Sequence, residues 1–212
     1  MSPTFQPLIE LLTTKLRCLR REQAERLWFG HVARPATSCR QFLKRLERTG
    51  LIHLTPVLAR PELAMRKPLL DWRPGRPAPN FDRLAWQAES RLVRPAAGTL
   101  LITATKKTQR LTGGPIGRRP LRSAEINHDL MVAGIFELFI RERHERASTW
   151  LPEDAIVQER CVERQSSDAT TIPDAIVVED GDEIVIEIAG RYGAKKLRTI
   201  HEAYQERRYE LW

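Results

Sequence analysis

The sequence predicts a mixed chain in two parts: an α+β front of helices followed by a strand pair, and an α/β back with the order α-β-β-β-α-β. Three observations carry this. Residues 1–122 hold 24 Lys+Arg against 8 Asp+Glu, a net of +16, whereas residues 123–212 hold 11 against 19, a net of −8. Between Ser38 and Thr49 the apolar residues recur at helical spacing and stop at Gly50, where a glycine that ends a helix belongs. Ile172–Val178 and Glu183–Ala189 are runs rich in β-branched residues on either side of Glu179-Asp180-Gly181-Asp182, and Asp-Gly is a strong hairpin signal. The boundaries that follow are a first domain at 1–112, a basic linker at 113–122 and a second domain at 123–212.

Composition narrows the classes. No long apolar run offers a transmembrane helix, and Met1-Ser2-Pro3-Thr4-Phe5 lacks the charged and apolar regions of a signal peptide, so a cytoplasmic protein is expected with no membrane partner. Cys18, Cys39 and Cys161 are scattered, which supports neither a disulfide framework nor a zinc site. A basic front and an acidic back suggest one module that meets a polyanion and another that a polyanion would avoid unless a metal intervened.

Taken in order, Leu8, Leu11, Leu12, Leu16 and Leu19 form a near-helical stripe that predicts a helix over Pro7–Cys18. A second helix is expected over Arg21–Phe29. Thr37 and Ser38 are start signals for a third, reaching Thr49, with Cys39, Phe42, Leu43 and Leu46 on its inner face. Two strands should follow, Leu51–Thr55 and Lys67–Trp72, joined by a tip holding Arg60, Arg66 and Lys67. Helix, helix, helix and strand pair describe a winged helix-turn-helix. Such a recognition helix presents its N-terminal residues to base edges, where Arg bonds guanine and Gln bonds adenine. Thr37, Ser38, Arg40, Gln41 and Lys44 are therefore base or phosphate candidates, Arg45 and Arg48 backbone candidates, and Arg66 and Lys67 wing candidates. The competing explanation is an amphipathic helix with an ordinary charged outer face.

Trp72–Asn80 is a connector whose prolines rule out regular helix. A helix over Phe81–Leu92, a strand over Leu100–Ala104 and a short basic helix or turn over Thr105–Leu111 come next. Gly113–Pro120 has no Gly-x-x-x-x-Gly-Lys-(Ser/Thr) pattern and reads as linker rather than P-loop; Lys106, Lys107, Arg110, Arg118, Arg119 and Arg122 are further phosphate candidates. Ser123 caps an apolar helix to about Glu142. Glu125 there is more simply explained by the helix dipole than as a metal ligand, and His128 as a packing residue. Ala155–Val162 reads as a strand, the hairpin follows, then a helix over Gly193–Arg207 with Leu197, Ile200 and Tyr204 on one stripe, and a last strand over Tyr209–Trp212.

Alternation along the hairpin puts Glu183, Val185, Glu187 and Ala189 on one strand face, with Asp174 on the first strand looking toward Glu187. Pro173-Asp174 with Glu187-Ile188-Ala189 resembles the Pro-Asp…(Asp/Glu)-x-Lys hairpin of the restriction-endonuclease-like nucleases. With Ser123–Leu130, Ile172–Ala175, Ile184–Ala189 and the Lys196…Tyr204 helix, the whole chain resembles the plasmid replication-relaxation family. The resemblance implies an αβββαβ nuclease-like core, a role in mobile-element DNA biology, and, in active relatives of the superfamily, Mg²⁺ held by the positions of Asp174 and Glu187 with a lysine that activates water. Here Ala189 stands at the lysine position, and Lys195 and Lys196 are the cations that follow; Lys196 is the candidate displaced catalytic lysine. Three functions result: a duplex-DNA-binding protein whose inactive nuclease-like domain serves dimerisation or a protein partner; an active Mg²⁺-dependent endonuclease; or an adaptor that binds RNA or an acidic protein. Ala189 favours the first over the second, and the absence of an aromatic-glycine RNA-binding pattern favours it over the third.

Overall fold

A computed structural model describes residues 6–116, 121–163 and 171–212 of the chain. The elements run α1 (Gln6–Thr14), β1 (Leu19–Arg20), α2 (Arg21–Phe29), α3 (Pro35–Arg48), β2 (Ile52–Ala59), β3 (Leu70–Trp72), α4 (Phe81–Ser90), β4 (Ala97–Ala104) and α5 (Lys106–Thr112). They continue α6 (Ile126–Glu142), α7 (His144–Thr149), β5 (Leu151–Pro152), α8 (Glu153–Glu163), β6 (Ala175–Glu179), β7 (Asp182–Glu187), α9 (Ala194–Tyr204) and β8 (Tyr209–Leu211). The chain is thus mixed α and β, with one three-stranded and one five-stranded sheet among the described residues. No helix among them is long and apolar enough to cross a membrane.

The chain divides into two compact units, Met1–Pro61 with Ala96–Glu137, and Glu62–Pro95 with Leu138–Trp212. Each is discontinuous, unlike the consecutive segments 1–112, 113–122 and 123–212 expected from sequence. The reason lies in strand pairing. β2 pairs antiparallel with β4 over eight positions, from Ile52 opposite Ala104 to Ala59 opposite Ala97, an arm of about 26 Å at ~3.3 Å per residue. Residues 62–95 interrupt this arm and belong to the other unit. The expected pairing of Leu51–Thr55 with Lys67–Trp72 is therefore incorrect: β3 pairs antiparallel with β8, Leu70 opposite Leu211 and Trp72 opposite Tyr209. The Leu69 N–H donates to the Leu211 carbonyl at 2.7 Å, and the Trp72 indole donates to the Gln205 carbonyl at 2.9 Å. A buried Trp whose N–H is satisfied holds a three-residue strand firmly.

In the first unit the sheet order is β1-β4-β2. Leu8, Leu12, Leu16, Cys18 and Leu19 are all buried, so the apolar stripe is real, but the helix ends at Thr14 and the chain turns through residues 15–18 into β1. Cys18, Ala59, Leu101 and Leu130 pack together, tying β2, β4 and the start of α6 into one core.

The second unit is a five-stranded sheet in the order β3-β8-β7-β6-β5, with β7 and β8 parallel and the other pairs antiparallel. The β6–β7 hairpin closes through Asp180 (φ 53°) and Gly181 (φ 84°), with Glu179 opposite Asp182. Positive φ at both central residues is the turn that Asp-Gly encodes. Trp72, Leu84, Ala88, Val185, Ala189, Leu197, Ile200, Tyr204, Tyr209 and Leu211 form the core under α4 and α9. The expected strand over Ala155–Val162 is wrong: these residues lie in α8, and the first strand is reduced to Leu151–Pro152. Glu153 and Asp154 in the first turn suit the positive end of a helix, which outweighs the β-branched run Ile156-Val157.

Candidate nucleic-acid interface and the carboxylate pair

α3 starts at Pro35 rather than at Thr37 or Ser38. Proline at the first helical position gives up no intrahelical bond, and the Ser38 N–H reaches the Arg34 carbonyl at 3.0 Å. Cys39, Leu43 and Leu46 are buried, each contributing about 1.5–3 kcal/mol for the larger side chains, and Phe42 meets Phe29 of α2 edge-on at 5.4 Å. The helix ends with Thr49 N–H on the Arg45 carbonyl and Gly50 at φ 70°. Burial of that stripe fixes the rotation of the helix. Thr37, Arg40, Gln41, Lys44, Arg45 and Arg48 consequently face solvent, and Ser38 is half-buried.

Arg66 and Lys67 are exposed but do not crown the β2–β4 arm; they lie in the coil before β3, in the second unit. Arg118 and Arg119 lie outside the described residues. By units, the charge split is softer than by halves: 17 Lys+Arg against 7 Asp+Glu in the first, net +10, and 18 against 20 in the second, net −2.

Asp174 and Glu187 do come together. Ala175 pairs with Ile186, so the next step of the register sets Asp174 across from Glu187, and an Asp174 carboxylate oxygen accepts the Ile188 N–H at 2.7 Å. Glu187 is buried, 5% exposed. Sequence reasoning missed the phenols beside them. Burial first, then the negative charges of Asp174, Glu187 and Glu153, push the Tyr192 hydroxyl up from its usual range. Burial and then Glu187 do the same to Tyr204, whose hydroxyl donates to the Thr171 carbonyl at 2.7 Å. Tyr204 was legible as part of the α9 stripe, but its role beside a carboxylate was not. Both shifts favour the protonated phenol, and the Tyr204 hydroxyl is a hydrogen-bond donor.

Ala189 is buried in the core under α9, and Lys195 and Lys196 are exposed on that helix, whose buried stripe is Leu197, Ile200, His201 and Tyr204. Among the described residues no three His, Cys, Asp or Glu side chains are grouped to hold a metal. One Asp174 oxygen accepts from the hairpin backbone, and Glu187 is buried. Glu125 is half-buried beside Arg122 at 3.8 Å, and His128 lies 3.4 Å from Asp129.

Comparison of the chain with family models, with curated proteins and with solved structures finds no match.

Proposed function

We propose that this chain is a duplex-DNA-binding protein, that its first unit is a winged helix-turn-helix, and that its second unit is an inactive relative of the restriction-endonuclease-like nucleases, as the resemblance to the plasmid replication-relaxation family implies. The observation that carries the reading is the disposition of α3: an apolar stripe locked inward, and Arg40, Gln41, Lys44, Arg45 and Arg48 turned out together. The order helix, short strand, helix, helix, strand, strand and the sheet order β1-β4-β2 support it. The basic first unit would be drawn to phosphates, and Arg40 and Gln41 near the start of α3 are the side chains with the geometry to read guanine and adenine. The second unit is then a scaffold for dimerisation or a protein partner, and Mg²⁺ has no part in binding.

The test is one binding and cleavage experiment with the full chain on supercoiled and linear duplex DNA, with Mg²⁺, Mn²⁺ or EDTA. Retention without cleavage is expected. Retention should weaken steeply with salt, at about −0.9 in log affinity per log salt for each neutralised phosphate. Arg40→Ala with Lys44→Ala should abolish it. Metal-dependent nicking that Asp174→Ala, Glu187→Ala and Lys196→Ala each remove would establish the endonuclease instead.

A further inference from the structure

Thr105–Leu111 reads from sequence as a short basic helix or turn before a linker, and in the structure it is bonded at both ends to the rest of the first unit. Thr105 caps α5 by accepting the Thr108 N–H, and its own N–H donates to the Leu51 carbonyl at 3.2 Å. Its hydroxyl donates to the Gly50 carbonyl at 2.8 Å, and the Thr108 hydroxyl to the Leu51 carbonyl at 2.5 Å. Lys107 Nζ reaches the Thr49 carbonyl at 3.2 Å. Apart from the Thr105 cap itself, these acceptors all belong to Thr49-Gly50-Leu51, the corner where α3 ends. The far end is fixed as well: Gly113 closes the helix at φ 68°, Ile116 is buried with its N–H on the Thr13 carbonyl at 3.1 Å, and a Cβ on Gly114 would stand 2.1 Å from the Thr13 oxygen. Thr105 and Thr108 form the inner side of α5. Lys106, Lys107 and Arg110 are all exposed on the outer side.

We infer that α5 is a second phosphate clamp, continuing the basic face of α3 past its C-terminal end, and that Lys106, Lys107 and Arg110 grip the duplex backbone flanking the bases that α3 meets. The inference rests on the DNA-binding reading of α3 and deepens it. Threonine hydroxyls bonded to the α3–β2 corner hold the cations at a set place relative to Arg45 and Arg48, which a flexible basic tail would not do. Contacts to phosphate position a protein without reading sequence. The clamp therefore adds affinity evenly across sequences.

The test compares full-chain variants on a mixed-sequence 24-bp duplex by fluorescence anisotropy across a salt series. Lys106→Gln/Lys107→Gln/Arg110→Gln should weaken binding at least about tenfold near 100 mM salt and flatten the log–log slope by up to about 2.7, three contacts at ~0.9 each. Arg73→Gln/Arg76→Gln/Arg83→Gln removes the same charge from exposed sites in the second unit and should change little. Arg110→Gln alone should lower the slope by about 0.9, and it leaves every α5–corner bond intact should the triple variant fold poorly. If the α5 and control variants bind alike while Arg40→Ala/Lys44→Ala still abolishes binding, the clamp is refuted and the α3 reading stands. If the unmodified chain does not bind the duplex at low salt, the α3 reading falls, and the clamp with it.

Discussion

α3 and β7 treat their polar side chains in opposite ways. α3 buries one stripe and turns every cation outward, whereas β7 and the residues after it are buried on both faces from Ile184 through Ala189, Glu187 included. The difference separates two kinds of experiment. A charge lost from the outer face of α3 should register as lost affinity at nearly unchanged stability, because surface substitutions usually fall within about 0.5 kcal/mol. A polar or aromatic group lost from the second unit should register as lost stability at nearly unchanged affinity.

Trp72→Ala gives the largest expected effect. It opens the core between β3, α4 and α9 and should cost about 3–5 kcal/mol in urea unfolding. Were Lys67–Trp72 a wing strand, the loss would appear chiefly in DNA binding; Arg66→Ala and Lys67→Ala should instead leave affinity unchanged.

Arg146→Met comes next. Its guanidinium lies between Glu179, at 2.6 Å through two nitrogens, and Glu210, at 3.0 Å from both oxygens, while the Trp212 indole also bonds Glu210 at 2.9 Å. Glu210 is 2% exposed, so removing Arg146 strands a buried charge, at a cost of about 3 kcal/mol or more. Adding Glu210→Gln should recover part of that. A double variant no more stable than Arg146→Met would show that the two residues do not act as a pair.

Gly114→Ala brings the comparison back to the first unit. The added methyl meets the Thr13 carbonyl, a backbone atom that cannot swing aside, and about 1–3 kcal/mol should be lost. Affinity for duplex DNA should fall with it if α5 is held from both ends.

What was legible in the sequence was local. The α3 stripe and Gly50 lie within one helix and its cap, and the Asp180-Gly181 turn defines a two-residue hairpin. The partner of β3 was not legible, because Leu70 and Leu211 are far apart in sequence and the nearer run Leu51–Thr55 offered an equally apolar edge. The alternation in β7 misled for a related reason. A strand covered on both faces has no solvent side for the pattern to mark, so the alternation placed Glu187 on a face without showing that this face is buried. The juxtaposition of Asp174 with Glu187 was readable from hairpin register; the tyrosines above them come from separate segments. The attachment of α5 was not legible, because it depends on carbonyls some 55 residues earlier.

The smallest effect is a pH dependence confined to the second unit. His201 Nδ1 lies 2.9 Å from the Tyr209 hydroxyl, its ring meets Trp72 edge-on at 4.5 Å, and Phe81 is 5.5 Å away. Arg198 sits over Phe81, and Glu202 follows on the same helix. Burial lowers the imidazole below its ordinary 6.5, partly offset by Glu202. The folded state thus binds the proton less readily than the unfolded chain, so this contribution is complete above about pH 6.5 and declines as pH falls below it. Glu179 has the same sign in a lower window: the Arg146 hydrogen bonds hold its carboxyl below 4.5, and its contribution is lost as pH falls through that depressed value. Acid unfolding followed by Trp fluorescence should therefore show two limbs. His201→Gln keeps a hydrogen-bonding group near Tyr209 but cannot titrate, and should flatten the first limb between about pH 7 and 5 while leaving the second. Equal slopes in that window for variant and unmodified protein would mean that His201 does not set it.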